Sequence, residues 1–460
     1  MIKVREETLE STLEMAVNSI ESSESRLVSF TKKIDEVDAL QFFEAGKHLK
    51  TNRSFWSSTI DNFTMVGLGS AYLIADEEVN LQTIHKKWNA LLHNAIINNN
   101  YQTPGTGVTA MGGMAFDPLK ARTPLWKKFS KSELRIPEFT LVQDREQAYI
   151  TYTVMVNKVD NPSEIARYIL EKEEILLSHA DTTLHDIQVK AREEIQPHQW
   201  KNTVGKATQY ISSGKADKIV LARELRLKLT EEANVTAVLA SLMESQPTSY
   251  VFAYEQAGDC FIGATPERLV KVEESQLLST CLAGTAPRGL NQTEDEKFGY
   301  QLLHDKKNLE EHNYVVQMIK GSIQSLCSSI QIPETPVLYK LRNLQHLYTP
   351  VHGILKDDYS IFNVIEKLHP TPALGGEPRE KAVSFIRENE LLDRGWYGAP
   401  IGWLDSNQNG EFAVAIRSGL LQGNEASLFA GCGVVKDSDP EEEYEETSLK
   451  FLPMLTVLGG

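Results

Sequence analysis

In the second half of the sequence, polar residues and glycines recur inside otherwise apolar, strand-like text: Lys218 in ADKIVLAR, Glu267 in GATPERL, Gly284 and Thr285 in CLAGTAPRG, Glu311 and His312 in NLEEHNYVV. The series continues with His369 in HPTPALGG, Tyr397 in GWYGAPIGW, Arg417 in FAVAIRSG, Gly431 and Gly433 in AGCGVV, and Glu443 and Glu446 in SDPEEEYEETSLK. An amine, carboxyls, a guanidinium and glycines without Cβ are the groups that move protons and hold anions. Each also has a plainer structural reading when taken alone. Glu443 and Glu446 stand i, i+3 on a predicted helix, ordinarily a solvated acidic face, and a lysine entering a strand is ordinarily a surface lysine.

Other chemistries find less support. Cys260, Cys281, Cys327 and Cys432 form no CxxC pair and are too sparse for a disulfide scaffold, so they read as buried, inert thiols. The histidines include no HExxH pair, and His179 and His185, six apart, do not share a helix face, so any metal should be hard and oxygen-bound. Gly67-Leu68-Gly69-Ser70 lacks the third glycine of a dinucleotide loop and reads as a turn, while GGMAF at 112–116 reads as a close backbone approach within a sheet. Neither a GxSxG elbow nor a GxxxxGK[ST] loop occurs.

The elements that must position these groups are mixed. The 460 residues give a soft prior of about three domains, but no repeat or low-complexity linker divides them. The first ~50 residues read as helical from Leu9, Leu13 and Val17. FTLVQDREQAYITYTVMV reads as a hairpin turning at Asp144-Arg145-Glu146-Gln147, and 162–201 as a charged helical region opened by Pro162. KIVLARELRLKL reads as a strand, VTAVLASLMESQ as a helix, residues 249–285 as a run of strands, and 294–328 as a long helical stretch. Without strict βαβ alternation, an antiparallel or mixed sheet covered by helices is expected rather than a doubly wound fold. With 47 basic and 63 acidic residues, a net charge of −16 disfavours nucleic acid and anionic lipid as partners. Neither a transmembrane stretch nor a secretion signal is visible, so a cytoplasmic protein is expected.

Taken in order, the motifs from Lys218 to Glu446 resemble the chorismate-utilising enzymes, the family of anthranilate, aminodeoxychorismate, isochorismate and salicylate synthases. The resemblance spans roughly residues 200–456, and the upstream half, with GLGSA and GGMAFDP, is similar more loosely to the menaquinone-type isochorismate synthases. It implies an α+β fold of two stacked, mostly antiparallel sheets flanked by helices in α/β/β/α layers. Residues 1–195 would contribute helices and strands to the same body as a chorismate-binding core at 196–456. It also implies Mg²⁺ held by Glu311 and Glu446 with Glu443 beside them, which suits the preference of Mg²⁺ for carboxylate oxygens and open positions. Arg417 would take a substrate carboxylate, and the backbone around Gly431, Gly433, Gly284 and Thr285 would approach it closely, with Tyr397 and His369 contacting the substrate. One departure stands out: the family's usual aspartate three positions before the metal glutamate is Asn308 here.

The isochorismate branch is implied most strongly. There water attacks C2 of the ring while the C4 hydroxyl leaves, with Lys218 as general base and Glu267 as general acid. Those roles require the lysine's pKa to be lowered and the glutamate's to be raised. Ala283 stands where aminodeoxychorismate synthases carry a nucleophilic lysine, and Lys218 itself is commonly missing from the ammonia-using anthranilate synthases. Salicylate synthase, a siderophore-pathway isochorismate synthase and a silent chorismate-binding regulator are the alternatives. A monomer without an obligate glutaminase subunit is expected.

Overall fold

A computed structural model describes residues 8–21, 24–78, 80–178, 187–340 and 344–460. His179 and His185 lie outside the described residues. Strand periodicity sets the architecture. In Tyr250–Gln256, Tyr250, Phe252 and Tyr254 point into one layer and Val251 and Ala253 into another, as a period of two requires. Repeated from strand to strand, this alternation divides the interior into three apolar layers.

Two sheets define those layers. One, of 13 strands among the described residues, holds Lys218–Leu229, Glu425–Val434, Ser418–Gln422, Asp259–Thr265, Tyr250–Gln256 and Arg53–Ser58 in that spatial order before continuing through other N-terminal strands. The second, of ten strands, runs from Cys327–Gln331 through Leu344–Leu355, Gln276–Pro287, Arg268–Glu273, Gly410–Val414 and Pro400–Asp405 to Thr109–Met114 and beyond. The described pairings are antiparallel except that between Ser25–Ile34 and Ile96–Asn98. An aromatic layer containing Trp56, Phe63, Phe252, Phe261, Trp396 and Trp403 fills the space between the sheets. Helices Leu9–Ser19, Pro162–Leu177, Val235–Ser245 and Pro440–Val457 cover the first sheet, and Leu81–His93, Lys306–Ile323 and Ile361–Leu368 cover the second. This is the expected α+β arrangement of two stacked sheets flanked by helices.

The expected hairpin is present: Phe139–Asp144 and Gln147–Asn157 pair across Arg145 and Glu146, with Arg145 at φ 56°. Gly69, at φ 80°, makes the turn expected of GLGS. At Gly112 a Cβ would lie 1.9 Å from the Glu133 carbonyl oxygen, the close backbone approach expected of GGMAF. The four cysteines are buried and free, as expected.

Three expectations need correction. The first ~50 residues are not all helical, because Ser25–Ile34 is a strand paired along its full length with Gln147–Asn157, and that cross-strand pairing decides its conformation. Within 162–201 the helix Pro162–Leu177 gives way to the strand Val189–Glu194, whose charged, exposed side chains suit a sheet edge and mimic a solvated helix face. The stretch 294–328 is two helices, Gln292–His304 and Lys306–Ile323. Asp305 separates them and caps the second by accepting from the Asn308 amide.

Candidate active site

The candidate site lies where the aromatic layer runs out. Along Lys218–Leu229 the even positions face the inter-sheet space, since Ala222 belongs to the aromatic layer, and Lys218 shares that face. Opposite, Ala222 pairs with Gly431 and Val220 with Gly433, so both glycines lie on the same inner face. Their missing side chains make room. A Cβ on Gly433 would stand 2.6 Å from Lys218 Cε, and one on Gly431 would stand 3.3 Å from the Tyr397 hydroxyl.

Glu267 and Arg417 reach the same space because each sits where the chain passes from one sheet to the other. Glu267 lies between Asp259–Thr265 and Arg268–Glu273, and Arg417 between Gly410–Val414 and Ser418–Gln422. Glu267 is held by its backbone: its N–H donates to Thr265 Oγ1 at 3.2 Å and its carbonyl accepts from Val414 at 3.0 Å. Burial pushes its carboxyl up to about 7, although the facing cations Arg417 and Lys218 pull the other way. Arg417 adopts a left-handed backbone, φ 51°, unusual for a long side chain, and its carbonyl accepts from Ala264 at 3.1 Å. Burial lowers its pKa, opposed by the charges of Tyr397, Glu267 and Glu446 nearby.

The second sheet supplies the opposite wall. Gly284, at φ 76°, forms a bulge in the pairing of Gln276–Pro287 with Leu344–Leu355. Past the bulge, Thr285 Oγ1 stands 2.9 Å from His346 Nδ1. Burial drives His346 down to about 4, so it is a neutral ring at physiological pH. Glu311 is placed by its neighbour His312, a buried ring 3.1 Å from the Ala283 carbonyl and 2.7 Å from Thr349 Oγ1, which pins the Lys306–Ile323 helix to the sheet. Asn308 packs against Gly284 and donates its side-chain amide to Asp305 at 2.8 Å.

The carboxylates expected to hold metal are each near the site but are not gathered around one point. Glu311 pairs with Lys218 Nζ at 3.5 Å, and Glu446 pairs with Lys450 at 2.5 Å. Glu443 accepts from Ser438 at 2.6 Å through one oxygen, while its other oxygen, Oε2, is buried with no hydrogen-bond partner. Among the described residues no three ligating side chains stand close enough to hold an ion. The donor chemistry nevertheless fits a hard cation: three glutamates on two helices, one carrying an orphaned buried oxygen.

Of the residues singled out in the sequence, Lys218 meets Glu311 and Gly433 directly, Glu267 interacts with Lys218 and Arg417, and Arg417 interacts with Tyr397 and Glu446; Gly431 adjoins Tyr397, Gly284 and Thr285 adjoin His346, and Glu443 adjoins Cys432. His369 does not join them. Its Nε2 lies 3.1 Å from the Phe116 carbonyl and its ring packs edge-on against Phe116; the charged groups facing it are Arg379, Arg394 and Asp117. Two further residues belong to the site. Lys450 bridges Glu446 and the Gly431 carbonyl, 2.9 Å away, and its signal was its i, i+4 spacing from Glu446. His346 carries no local signal, because only strand pairing brings it opposite Thr285.

The chain matches the family model of chorismate binding enzymes over residues 11–459. It is 42% identical over 447 residues to the isochorismate synthase MenF of Bacillus subtilis, covering 94% of each chain. It is 33% identical over 469 residues to the salicylate biosynthesis isochorismate synthase of Pseudomonas aeruginosa, covering 98% of this chain and 95% of that one. Among solved structures, the menaquinone-specific isochorismate synthase MenF of Escherichia coli superposes with a TM-score of 0.80 at 24% identity, over 99% of this chain and 100% of that one. Anthranilate synthase component I of Streptococcus pneumoniae shares the fold at a TM-score of 0.71 and 22% identity, over 86% of this chain and 92% of that one.

Proposed function

Since the chain belongs to the chorismate-binding enzymes, we propose that it is an isochorismate synthase of the menaquinone type, interconverting chorismate and isochorismate. The observation that carries the reading is that Arg417 and Lys218 act on a carboxyl, Glu267, that burial has raised to about 7. A carboxyl so raised is available as an acid near neutral pH. Lys218 takes a proton from the water that attacks C2, and Glu267 delivers one to the C4 hydroxyl as it leaves. Arg417 binds a substrate carboxylate with its planar fork, and the neutral His346 can donate to and accept from the ring substituents without adding charge.

Glu311 and Glu446, with the orphaned oxygen of Glu443, would hold Mg²⁺. The ion would supply positive charge for the second substrate carboxylate in a protein whose overall field is negative. We further propose a cytoplasmic, monomeric enzyme acting without a glutaminase subunit. No helix among the described residues is long and apolar enough to cross a membrane. Incubation with chorismate and Mg²⁺, with and without ammonium, followed by separation of products, tests the reading. Isochorismate should dominate; salicylate with pyruvate as the major products would instead make this a salicylate synthase.

Two variants probe the local geometry. Gly433→Ala places a methyl against the flexible end of Lys218 and so should displace the amine without disturbing the sheet. Turnover is expected to fall by about 100-fold, with little change in melting temperature. Asn308→Asp would set a second carboxylate against Asp305 in place of an amide donor. Its melting temperature without Mg²⁺ should fall below that of the wild type, and added Mg²⁺ should raise it more than it raises the wild type, as thermal unfolding across a Mg²⁺ series would record.

A further inference from the structure

The strand that begins at Lys218 is covered unevenly on its two edges. Along one, Glu425–Val434 pairs with it from Ile219 to Lys228. Along the other, Gly376–Glu377 reaches only Lys218 and Ile219, and Val189–Glu194 takes up the edge only from Leu225 onward. The backbone of Val220 and Ala222, both buried, falls in the gap, where no strand among the described residues pairs with them. Buried N–H and C=O groups must nevertheless find partners.

All four do. The Val220 N–H donates to the Gly375 carbonyl at 3.2 Å, and the Ala222 carbonyl accepts from Trp200 Nε1 at 3.0 Å. One ion pair meets the other two. The Ala222 N–H donates to Glu390 Oε2 at 2.6 Å, and the Val220 carbonyl accepts from Arg394 Nη2 at 2.8 Å. Arg394 holds Glu390 through Nε at 2.6 Å and Nη2 at 2.7 Å, while its Nη1 donates to the Leu374 carbonyl at 2.9 Å. The two side chains are 3% and 1% exposed, and the guanidinium lies 4.1 Å from the centre of the Phe116 ring.

The pair stands in for a missing strand, and what it holds lies under two residues of the site. Val220 is two positions from Lys218, and Leu374 is two from Gly376, which pairs beside Lys218. Tyr397 donates its N–H to the Arg394 carbonyl at 2.8 Å. A buried ion pair adds little net stability over apolar residues of like volume. Its planar fork, however, meets a carboxylate and two carbonyls at once, which a lysine cannot. We propose that Glu390 and Arg394 are positioning residues, a side-chain clamp that fixes the Lys218 amine relative to Glu267 and Tyr397. The effect on turnover rests on the reaction assigned above; the clamp itself does not.

Arg394→Lys keeps a charge opposite Glu390 but cannot reach both carbonyls. Its kcat for chorismate should fall by about 10- to 100-fold, as a displacement on the order of 1 Å would cause, with KM within about twofold of the wild type. In a Lys218→Ala background the same change should alter the residual rate by less than about twofold, because nothing is left to position. Arg53→Lys is the matched control. Arg53 forms a buried pair with Glu255 elsewhere in the same sheet and donates to the Phe43 carbonyl, so this variant should lower the melting temperature and spare kcat. If Arg394→Lys does not fold, Trp200→Phe, which removes the donor to the Ala222 carbonyl, makes the same comparison, with a several-fold loss that vanishes without Lys218. Unchanged kcat, an equal loss with and without Lys218, or a like loss from Arg53→Lys overturns the positioning role. Hydrogen exchange tests the clamp apart from the reaction: the Val220 and Ala222 amides should exchange at least about tenfold faster in the variant than in the wild type. Unchanged exchange overturns the clamp, whereas faster exchange in a protein without synthase activity leaves it standing and faults the reaction alone.

Discussion

Replacing Lys218 with alanine is expected to lower chorismate turnover by about 10²–10⁴-fold, the usual contribution of a positioned acid or base. Chorismate should still bind, because the cation assigned to its carboxylate, Arg417, stands on another segment held by the Ala264 hydrogen bond. The loss should therefore fall on kcat rather than on binding measured calorimetrically. The variant also frees Glu311, whose only described ion pair is with Lys218. Near-normal turnover in this variant would remove the lysine from the chemistry.

Glu267→Gln should be comparably damaging, and here pH adds a second readout. The acid must carry its proton, and with a carboxyl at about 7 the protonated fraction falls as pH rises through neutrality. Wild-type activity should therefore decline on an alkaline limb near pH 7, and the small residual rate of the glutamine variant should lack that limb. The variant's stability should move opposite to its activity. A carboxyl raised from 4.5 to about 7 costs the folded state nothing while it is neutral in both states, but penalises it once pH climbs through the folded pKa. A rise from 4.5 to about 7 corresponds to about 3 kcal/mol, so Glu267→Gln should be the more stable protein above neutral pH, with little difference at pH 4. Denaturant unfolding at both pH values would measure this. Equal stability at high pH would mean that the carboxyl is not raised.

The groups proposed to be catalytic were legible in sequence wherever a polar residue interrupts apolar, strand-like text, because such an interruption is costly unless something uses it. Lys218, Glu267 and Arg417 all have that character, the last two at crossings between sheets that no local pattern announces. Strand pairing hid the rest. His346 lies in unremarkable strand text and matters only through its register with Thr285. His369 drew attention by its type and its proline-rich setting, yet it faces Phe116. The same blindness to tertiary pairing explains Ser25–Ile34 and Val189–Glu194, whose charged residues resemble a helix surface until a neighbouring strand takes up their backbone.

The interleaving of the sheets has a consequence for how this protein can be inherited. Arg53–Ser58 is hydrogen-bonded to Tyr250–Gln256 in one sheet, and Thr109–Met114 to Pro400–Asp405 in the other. A cut anywhere between the early and late strands would strip the partners from four buried strands at once, leaving raw ladders that invite aggregation. Neither portion is a module that recombination could lift out and fuse elsewhere. Change can come to such a chain residue by residue or through its surface loops, while its two portions remain bound to a common ancestry.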